Sequence, residues 1–346
     1  MYKIICTLIL TLLSTTMAAQ EKFLQTIDEI QGPSAQNFYE DIYDDFGNYS
    51  SIPVSIIKGK NPGPTFTIVS GVHGYEYPPI IAAQNLIQEI DPSKLSGQLI
   101  IIPMANPNAF YSRSPYVNPQ DQLNLNRVFP GSKQGTITEK IANYLTEVII
   151  AKSDVFVDVH GGDAGEDLLP FVCYYNNESR PKETAMIKKL AEASGFSYVV
   201  AYPYTLRDDQ AAKYAFKQAV QDGKVALSIE CGKLGNVQIE AVEEIKMGIY
   251  NMLAEIEMYP QKTKMKTDFI TLNQQSYIRS NHRGVFFSDY NAGDQVKAGM
   301  IVGTIKDAFG NTIKEVVAPN SGLILYKIGT PPVNAWETIM CIGYNE

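Results

Sequence analysis

Short apolar runs alternate with amphipathic segments along residues 50–258 of the chain. The apolar runs have hydrophobic residues on both sides of the predicted strand, as is typical of strands buried on both faces, and they cover 65–71, 98–104, 154–160, 171–175 and 225–230. Segments with apolar residues at helical spacing cover 78–90, 138–152, 182–194, 211–221 and 236–258. This alternation predicts an α/β fold, in which a mixed, mainly parallel sheet carries helices on both faces.

The pattern changes after Tyr259. From residue 266 onward, glycines recur between short alternating runs such as GMIVGTI and SGLILYKI. This predicts a small all-β domain over 261–346, joined to an α/β domain over 20–260 by a polar linker near 260–267. The stretches AGDQVKAGMIVGTI and VVAPNSGLILYKI resemble the halves of a biotinyl/lipoyl-like barrel sandwich, but they lack the lysine turn that carries a prosthetic group. We therefore expect this domain to support the fold or to restrict the substrate.

The first twenty residues, MYKIICTLILTLLSTTMAAQ, have the organisation of a secretory signal peptide. One lysine precedes an apolar run over 4–13, and small residues follow it. The run is too short to span a bilayer comfortably, which disfavours the alternative of an uncleaved anchor. We predict a signal peptide over 1–19 and an exported protein, periplasmic or secreted, that is not inserted in the membrane after cleavage.

Composition and charge narrow the classes of partner. The formal net charge is −8 and no block of lysine and arginine is present, which argues against a nucleic-acid partner. The four cysteines form no C-x-x-C pair, so the sequence supports neither a disulfide framework nor a finger-type zinc site.

Two of the three histidines follow predicted buried strands. In VSGVHGYEYPP, His73 stands three residues before Glu76, and in DVFVDVHGG the strand ends at His160. Alone, an H-x-x-E pair arises easily by chance. Together, the three residues make the His₂Glu set of catalytic zinc sites, and we predict one zinc ion per chain. The third histidine, His282, is interpreted as an ordinary surface residue beside Arg283.

Further candidate residues lie at the end of a third strand and in a long polar loop. Glu230 ends the strand VALSIE, where it could accept a proton from an attacking water and deliver it to a leaving amine; the alternative is a structural ion pair. The loop 106–131 contains Arg113 and Arg127, which could bind a carboxylate or polarise a carbonyl. The alternative for this loop is a scaffold of Asn and Arg hydrogen bonds.

The motifs GVHGYE, NPNAF, NLNRVFPG, DVHGG and SIECG, in this order, closely resemble the aspartoacylase and succinylglutamate desuccinylase family of the zinc carboxypeptidase group. The resemblance covers roughly residues 50–258, and it implies the zinc carboxypeptidase-like fold with a C-terminal β domain near the active site. It implies that His73, Glu76 and His160 are the zinc ligands and that Glu230 is the general base and acid. It also implies that Asn126 and Arg127 hold a carboxylate of the substrate and that Arg113 stabilises the oxyanion.

One position departs from the family. Where the family often has an aspartate that orients a zinc-ligating histidine, this chain has Asn124. An amide oxygen can still accept the imidazole N–H, but it raises the basicity of the ligand less than a carboxylate does. Asp121 and Asp158 are the residues that could compensate.

The expected function is zinc-dependent hydrolysis of an amide bond in an N-acyl amino acid or a related amide, by an activated water with a glutamate base. The substrate is expected to be a small molecule or short peptide with a free carboxylate. An exported metallocarboxypeptidase acting on peptides or cell-wall fragments uses the same residues, and Arg207 in YPYTLRDDQAA could distinguish the two. A non-catalytic metal-binding or ligand-binding module and a carbohydrate binder built on the β domain are further alternatives.

Overall fold

The computed structural model of the protein describes residues 22–207, 209–260 and 268–345. The predicted signal peptide and nearly all of the predicted linker lie outside these residues.

The body of the molecule is a sheet that, within the described ranges, has nine strands in the order β1-β2-β4-β3-β5-β9-β7-β8-β10. Its strands are β1 (Ser34–Tyr43), β2 (Tyr49–Lys58), β3 (Asn61–Ser70), β4 (Ser96–Ile102), β5 (Val155–His160), β7 (Phe171–Asn176), β8 (Tyr198–Pro203), β9 (Val225–Glu230) and β10 (Ile270–Leu272). The central pairs β3·β4, β3·β5 and β5·β9 are parallel, whereas β1·β2, β2·β4 and β7·β9 are antiparallel. The mixed, mainly parallel sheet predicted from the sequence is therefore confirmed.

The helices form two groups. The α-helices are α1 (22–29), α2 (Tyr77–Glu89), α3 (Pro107–Tyr111), α4 (Ile137–Tyr144), α5 (Pro181–Ala193), α6 (Ala215–Gln221) and α7 (Ile239–Glu255). Helix α7 contacts α2 and α5, while a π-helical segment (Leu145–Ile150) that continues α4 contacts α6. Two separate groups are the arrangement expected when helices cover both faces of a sheet. The π segment divides the helix predicted over 138–152.

The C-terminal part forms two antiparallel sheets, which confirms the predicted β unit. Its strands are β11 (Gln274–Arg279), β12 (Gly284–Phe287), β13 (Gln295–Val296), β14 (Ile301–Lys306), β15 (Thr312–Val317), β16 (Gly322–Ile328), β17 (Pro332–Val333) and β18 (Thr338–Tyr344). One sheet has the order β11-β18-β16-β13 and the other β15-β14-β12-β17. Val302, Ile324 and Ile342 belong to the small hydrophobic core of this unit.

Backbone pairing ties the β unit to the α/β body. The short strand β6 (Glu166–Leu168) of the body pairs with β16, and β10 pairs with β8 in the large sheet. Leu323, Leu325 and Cys341 also pack into the large hydrophobic core. These contacts hold the β unit beside the carboxyl end of β5. No helix in the described part of the chain is both long and apolar enough to cross a membrane.

Candidate active site

The candidate site lies at the carboxyl ends of β3, β5 and β9, where open α/β sheets place their ligands. His160 and Glu230 are register partners at the ends of β5 and β9, and His73 follows β3. Two glycines allow the close approach of the surrounding backbone. A Cβ on Gly74 would lie 2.4 Å from the carbonyl oxygens of Ala109 and Ser114, so the H-x-x-E turn packs directly against the loop 106–131. A Cβ on Gly161 would lie 2.5 Å from the carbonyl oxygen of Cys231.

Three buried side chains converge into a possible metal centre. His73 Nδ1 lies 2.6 Å from Glu76 Oε1, and His160 Nδ1 lies 2.9 Å from Glu76 Oε2. One ligand atom from each residue lies within 4.8 Å of the others. Two imidazole nitrogens and one carboxylate match the donor set of catalytic zinc sites, so these residues fit a zinc ion.

Each histidine has an outer partner at its other ring nitrogen. His73 Nε2 lies 3.2 Å from Asn124 Oδ1, so this asparagine takes the position expected of the family aspartate. His160 Nε2 lies 3.1 Å from Asp158 Oδ1, a charge contact whose angles do not make a hydrogen bond. Asp121 does not compensate for Asn124, because its carboxylate accepts hydrogen bonds from the Thr138 amide at 2.9 Å and hydroxyl at 2.7 Å.

The electrostatics of the centre favour a cation. Burial alone would raise the pKa of Glu76, but His73 and His160 lower it to about 2. Burial alone would lower the pKa of His160, but Asp158 and Glu76 raise it well above its ordinary value. Both shifts have the same source, a buried cluster in which carboxylates stabilise positive charge.

Glu230 is a carboxyl group at the end of β9 whose pKa lies near neutrality. Burial raises its pKa to about 8, Glu76 and Asp158 add to the rise, and His160 opposes it. A carboxyl group with a pKa near neutrality can accept a proton and return it within one catalytic cycle. The sequence-level alternative of a structural ion pair finds no lysine or arginine within 4.0 Å of Glu230 among the described residues.

A cavity of about 550 Å³ opens beside these residues. The α/β body and the β unit both line it. The body contributes the following residues: His73, Glu76, Tyr116, Asn124, Asn126, Arg127, His160, Gly161, Glu166, Leu168, Phe171, Cys173, Tyr175, Tyr202, Tyr214, Phe216 and Glu230. The β unit contributes Tyr277, Arg279, Tyr326 and Thr338.

The two predicted carboxylate-binding residues both line the cavity. Asn126 Oδ1 accepts the Ala215 N–H at 3.0 Å, which leaves the Asn126 amide nitrogen available as a donor. Arg127 donates from Nη1 to the Asn126 carbonyl at 2.7 Å, and its guanidinium lies 4.8 Å from the centre of the Tyr214 ring. In the chain segments that the structure covers, no carboxylate lies within salt-bridge distance of Arg127. Arg127 is therefore an unneutralised cation at the cavity.

Two predicted arginines lie elsewhere. Arg113 is exposed just beyond the end of α3, with a left-handed φ of 51°, and it does not line the cavity. Its charge lies near Tyr77, where it partly offsets the burial that raises the pKa of that phenol. Arg207 forms an exposed ion pair with Asp209 at 3.0 Å and is likewise absent from the lining.

Two features of the cavity were not predicted from the sequence: a group of aromatic residues that includes Tyr175, Tyr202 and Phe216, and the carboxylate of Glu166. Tyr175 stacks on Phe216 with ring centres 4.9 Å apart and lies 5.7 Å from Tyr202. The tyrosines in FVCYY were the available local signal. Glu166 joins the cavity through the pairing of β6 with β16, and only the acidic residues that follow DVHGG pointed to it.

Comparison with known proteins agrees with this geometry. Residues 62–256 match the model of the succinylglutamate desuccinylase/aspartoacylase catalytic domain. The N-alpha-acetyl-L-2,4-diaminobutyric acid deacetylase of Halomonas elongata is 29% identical over 299 residues, which cover 84% of this chain and 85% of that relative.

Solved structures share the fold over nearly the whole chain. A succinylglutamate desuccinylase/aspartoacylase from Rhodobacter sphaeroides superposes with a TM-score of 0.81 at 24% identity, covering 92% of this chain and 98% of the other. The product-bound ectoine utilization protein EutE (DoeB) from Ruegeria pomeroyi has a TM-score of 0.81 at 24% identity, with 91% and 97% covered. Both likenesses include the β unit, because they extend far beyond residue 256.

Proposed function

The chain belongs to the succinylglutamate desuccinylase/aspartoacylase family, and from this premise we propose that it is a zinc-dependent hydrolase that removes the acyl group from an N-acyl amino acid. The observation that carries the proposal is the buried set His73, Glu76 and His160 beside Glu230, at one wall of the cavity. The Halomonas relative, named as a deacetylase of an acetylated amino acid, supports the same reaction class.

His73, Glu76 and His160 would hold the zinc ion. When bound, zinc polarises the scissile carbonyl and lowers the pKa of a water molecule. Glu230 takes the proton from the attacking water and delivers it to the nitrogen of the leaving amine. Its pKa of about 8 suits both transfers, since a carboxyl group with a pKa near the operating pH can take up a proton and release it again.

Arg127 and Asn126 orient the substrate. The guanidinium of Arg127 can form two parallel hydrogen bonds with a carboxylate, and its stacking on Tyr214 holds it in place. The Asn126 amide adds a third donor, because its oxygen is already bonded to Ala215. Fixing the carboxylate places the neighbouring acyl amide beside Glu230 and converts binding energy into orientation. Arg113 does not line the cavity, and its expected role at the oxyanion stays a prediction.

An exported metallocarboxypeptidase acting on peptides or cell-wall peptide fragments is the second candidate function. It is favoured by the predicted signal peptide over 1–19, which would direct the protein to the periplasm or outside the cell. The cavity also reaches from the metal ligands to the β unit, which leaves space for a larger substrate. The same four catalytic and metal-binding residues serve both functions.

The test compares the wild type with Glu230→Gln, and with Glu178→Gln as an exposed control. Each protein is analysed for zinc and assayed against N-acyl amino acids and wall-derived peptides. We expect one zinc per chain in all three, with product from the wild type and the control and a loss of roughly 10²–10⁴-fold in Glu230→Gln. Zinc without hydrolysis of any compound would support the non-catalytic module, and absence of zinc would refute the metal centre. Release of product from peptides alone would select the second function.

A further inference from the structure

Glu166 is a carboxylate in the cavity wall that the proposed mechanism does not use. It begins β6, and its register partner is Ile328 of the β unit. The Glu166 carbonyl accepts the Leu234 N–H at 2.9 Å, and the Glu166 N–H donates to the Asp163 carbonyl at 3.1 Å. These two hydrogen bonds fix the backbone at Glu166, so its side chain enters the cavity from a defined position.

The alternation of the strand separates Glu166 from its neighbour. Asp167 accepts a hydrogen bond from Lys233 Nζ at 2.8 Å and another from the Ala292 N–H at 2.9 Å. Successive residues of a strand face opposite sides, so Glu166 lines the cavity while Asp167 is satisfied elsewhere. Asp167 thus offers a matched control: the same charge, one position away, outside the cavity.

Glu166 has no cationic partner. Among residues 22–207, 209–260 and 268–345, no lysine, arginine or histidine nitrogen lies within 4.0 Å of its carboxylate. Burial raises its pKa well above the ordinary value, and Asp163 and Glu230 add to the rise. An ionised carboxyl group in such surroundings is costly unless a cation neutralises it.

The same cavity also suits an anion, because its lining contains Arg127 and Arg279. Arg127 supplies an unneutralised positive charge for a substrate carboxylate. Tyr202 and Tyr326 line the same cavity as Glu166, and the faces of aromatic rings attract ammonium groups. A substrate that carries both a carboxylate and an ammonium group could pair with Arg127 and with Glu166.

We propose that Glu166 selects N-acyl amino acids that carry a side-chain ammonium group, by forming an ion pair with that group inside the cavity. This inference rests on the proposed deacylase function and defines the class of its substrate. The substrate in the name of the Halomonas relative is an acetylated diamino acid, which belongs to this class of compounds.

The test measures kcat/KM of the zinc-loaded protein for N-α-acetyl-L-2,4-diaminobutyrate and for N-acetyl-L-norvaline, which has a methyl group in place of the ammonium. A charge-assisted contact of this kind corresponds to a preference of about tenfold to a hundredfold for the charged compound. We expect Glu166→Gln to bring the ratio close to one and Asp167→Asn to keep the wild-type ratio. A wild type without preference for the charged compound, or a Glu166→Gln variant that keeps the preference, would overturn the inference.

Two further measurements separate this inference from the proposed function and from folding defects. Calorimetric binding of L-2,4-diaminobutyrate against L-norvaline tests the ion pair without turnover, so a wild type that hydrolyses neither compound refutes the deacylase function and still reports on Glu166. If Glu166→Gln does not fold, as judged by circular dichroism, Glu166→Asp replaces it. The shorter side chain should shift the preference toward N-α-acetyl-L-ornithine, whose ammonium reaches one carbon further. An unchanged order of preference would contradict the ion pair.

Discussion

Replacement of Glu40 by glutamine should stabilise the protein above pH 7 and have little effect at acidic pH. Glu40 lies in β1 and is 0% exposed, and neither carboxylate oxygen makes a hydrogen bond of normal geometry with the described residues. Burial raises its pKa from 4.5 to about 7, while Lys22 and the Phe23 backbone only partly oppose the rise. The folded protein therefore keeps a proton on Glu40 that the unfolded chain releases.

The sign and size follow from linkage. Between pH 4.5 and about 7 the unfolded state binds fewer protons at this site, so the free energy of unfolding falls as pH rises. The slope reaches at most about 1.36 kcal/mol per pH unit, so the loss is about 2 kcal/mol between pH 5 and pH 7 and levels off at about 2.5 kcal/mol by pH 8. Glutamine cannot ionise, so the variant should not show this loss.

The assay is urea unfolding of the wild type and Glu40→Gln at pH 5, 6 and 8 with the zinc concentration fixed. The quantity to compare is the change in the stability difference between the proteins from pH 5 to pH 8. Any pH-independent cost of burying an amide cancels in that quantity. Glu29→Gln, an exposed change on α1, serves as the control and should give a constant difference. The reasoning is refuted if Glu40→Gln also gives a constant difference.

Three further predictions concern the active site. Asn124→Asp should tighten zinc binding by about tenfold to a hundredfold, because a carboxylate beside His73 Nε2 makes the imidazole a stronger ligand. Competition with a chelator measures the zinc affinity of both proteins. An unchanged affinity would show that the residue at position 124 does not limit zinc binding. Arg127→Lys should raise KM for an N-acyl amino acid by roughly tenfold, since lysine loses the forked contact, whereas Arg113→Ala should change kcat by less than about threefold. A fall of kcat by about a hundredfold in Arg113→Ala would instead return Arg113 to the oxyanion.

The central strands were predictable because the hydrophobic residues within each segment indicate that it is buried. A run such as QLIIIPM is apolar at four successive positions, as expected of a strand covered on both faces. The edge strand β1 was missed because its side chains are mostly exposed or half-buried, so the segment SAQNFYEDIY carries no apolar run. Strand β8 was missed as well, since only Val199 and Val200 in it are fully buried.

The residues of the site also fall into a group that the local sequence indicates and a group that it does not. His73, His160 and Glu230 could be placed near one another because each lies at the end of a buried strand, and the carboxyl ends of parallel strands meet at one edge. Glu166, Tyr277 and Arg279 could not, because they reach the cavity through the pairing of β6 with β16. Strand β6 has three residues, and its partner lies about 160 positions further along the chain, so no local pattern reveals the contact.

The residues that would carry out the chemistry and those that would select the substrate lie in different parts of the molecule. The four residues that would hold zinc and transfer protons act on the amide group, which is common to all N-acyl amino acids and peptides. The part of the cavity that we propose distinguishes one substrate from another lies between the α/β body and the β unit, where Glu166 of β6 and the residues Arg279 and Tyr326 of the β unit belong to the same lining. A substitution in β11 or β16 can therefore alter charge and volume around the substrate while leaving the strand ends that carry the chemistry unchanged. We therefore expect substitutions in the β unit to change the substrate preference at a smaller loss of catalysis than substitutions at the strand ends.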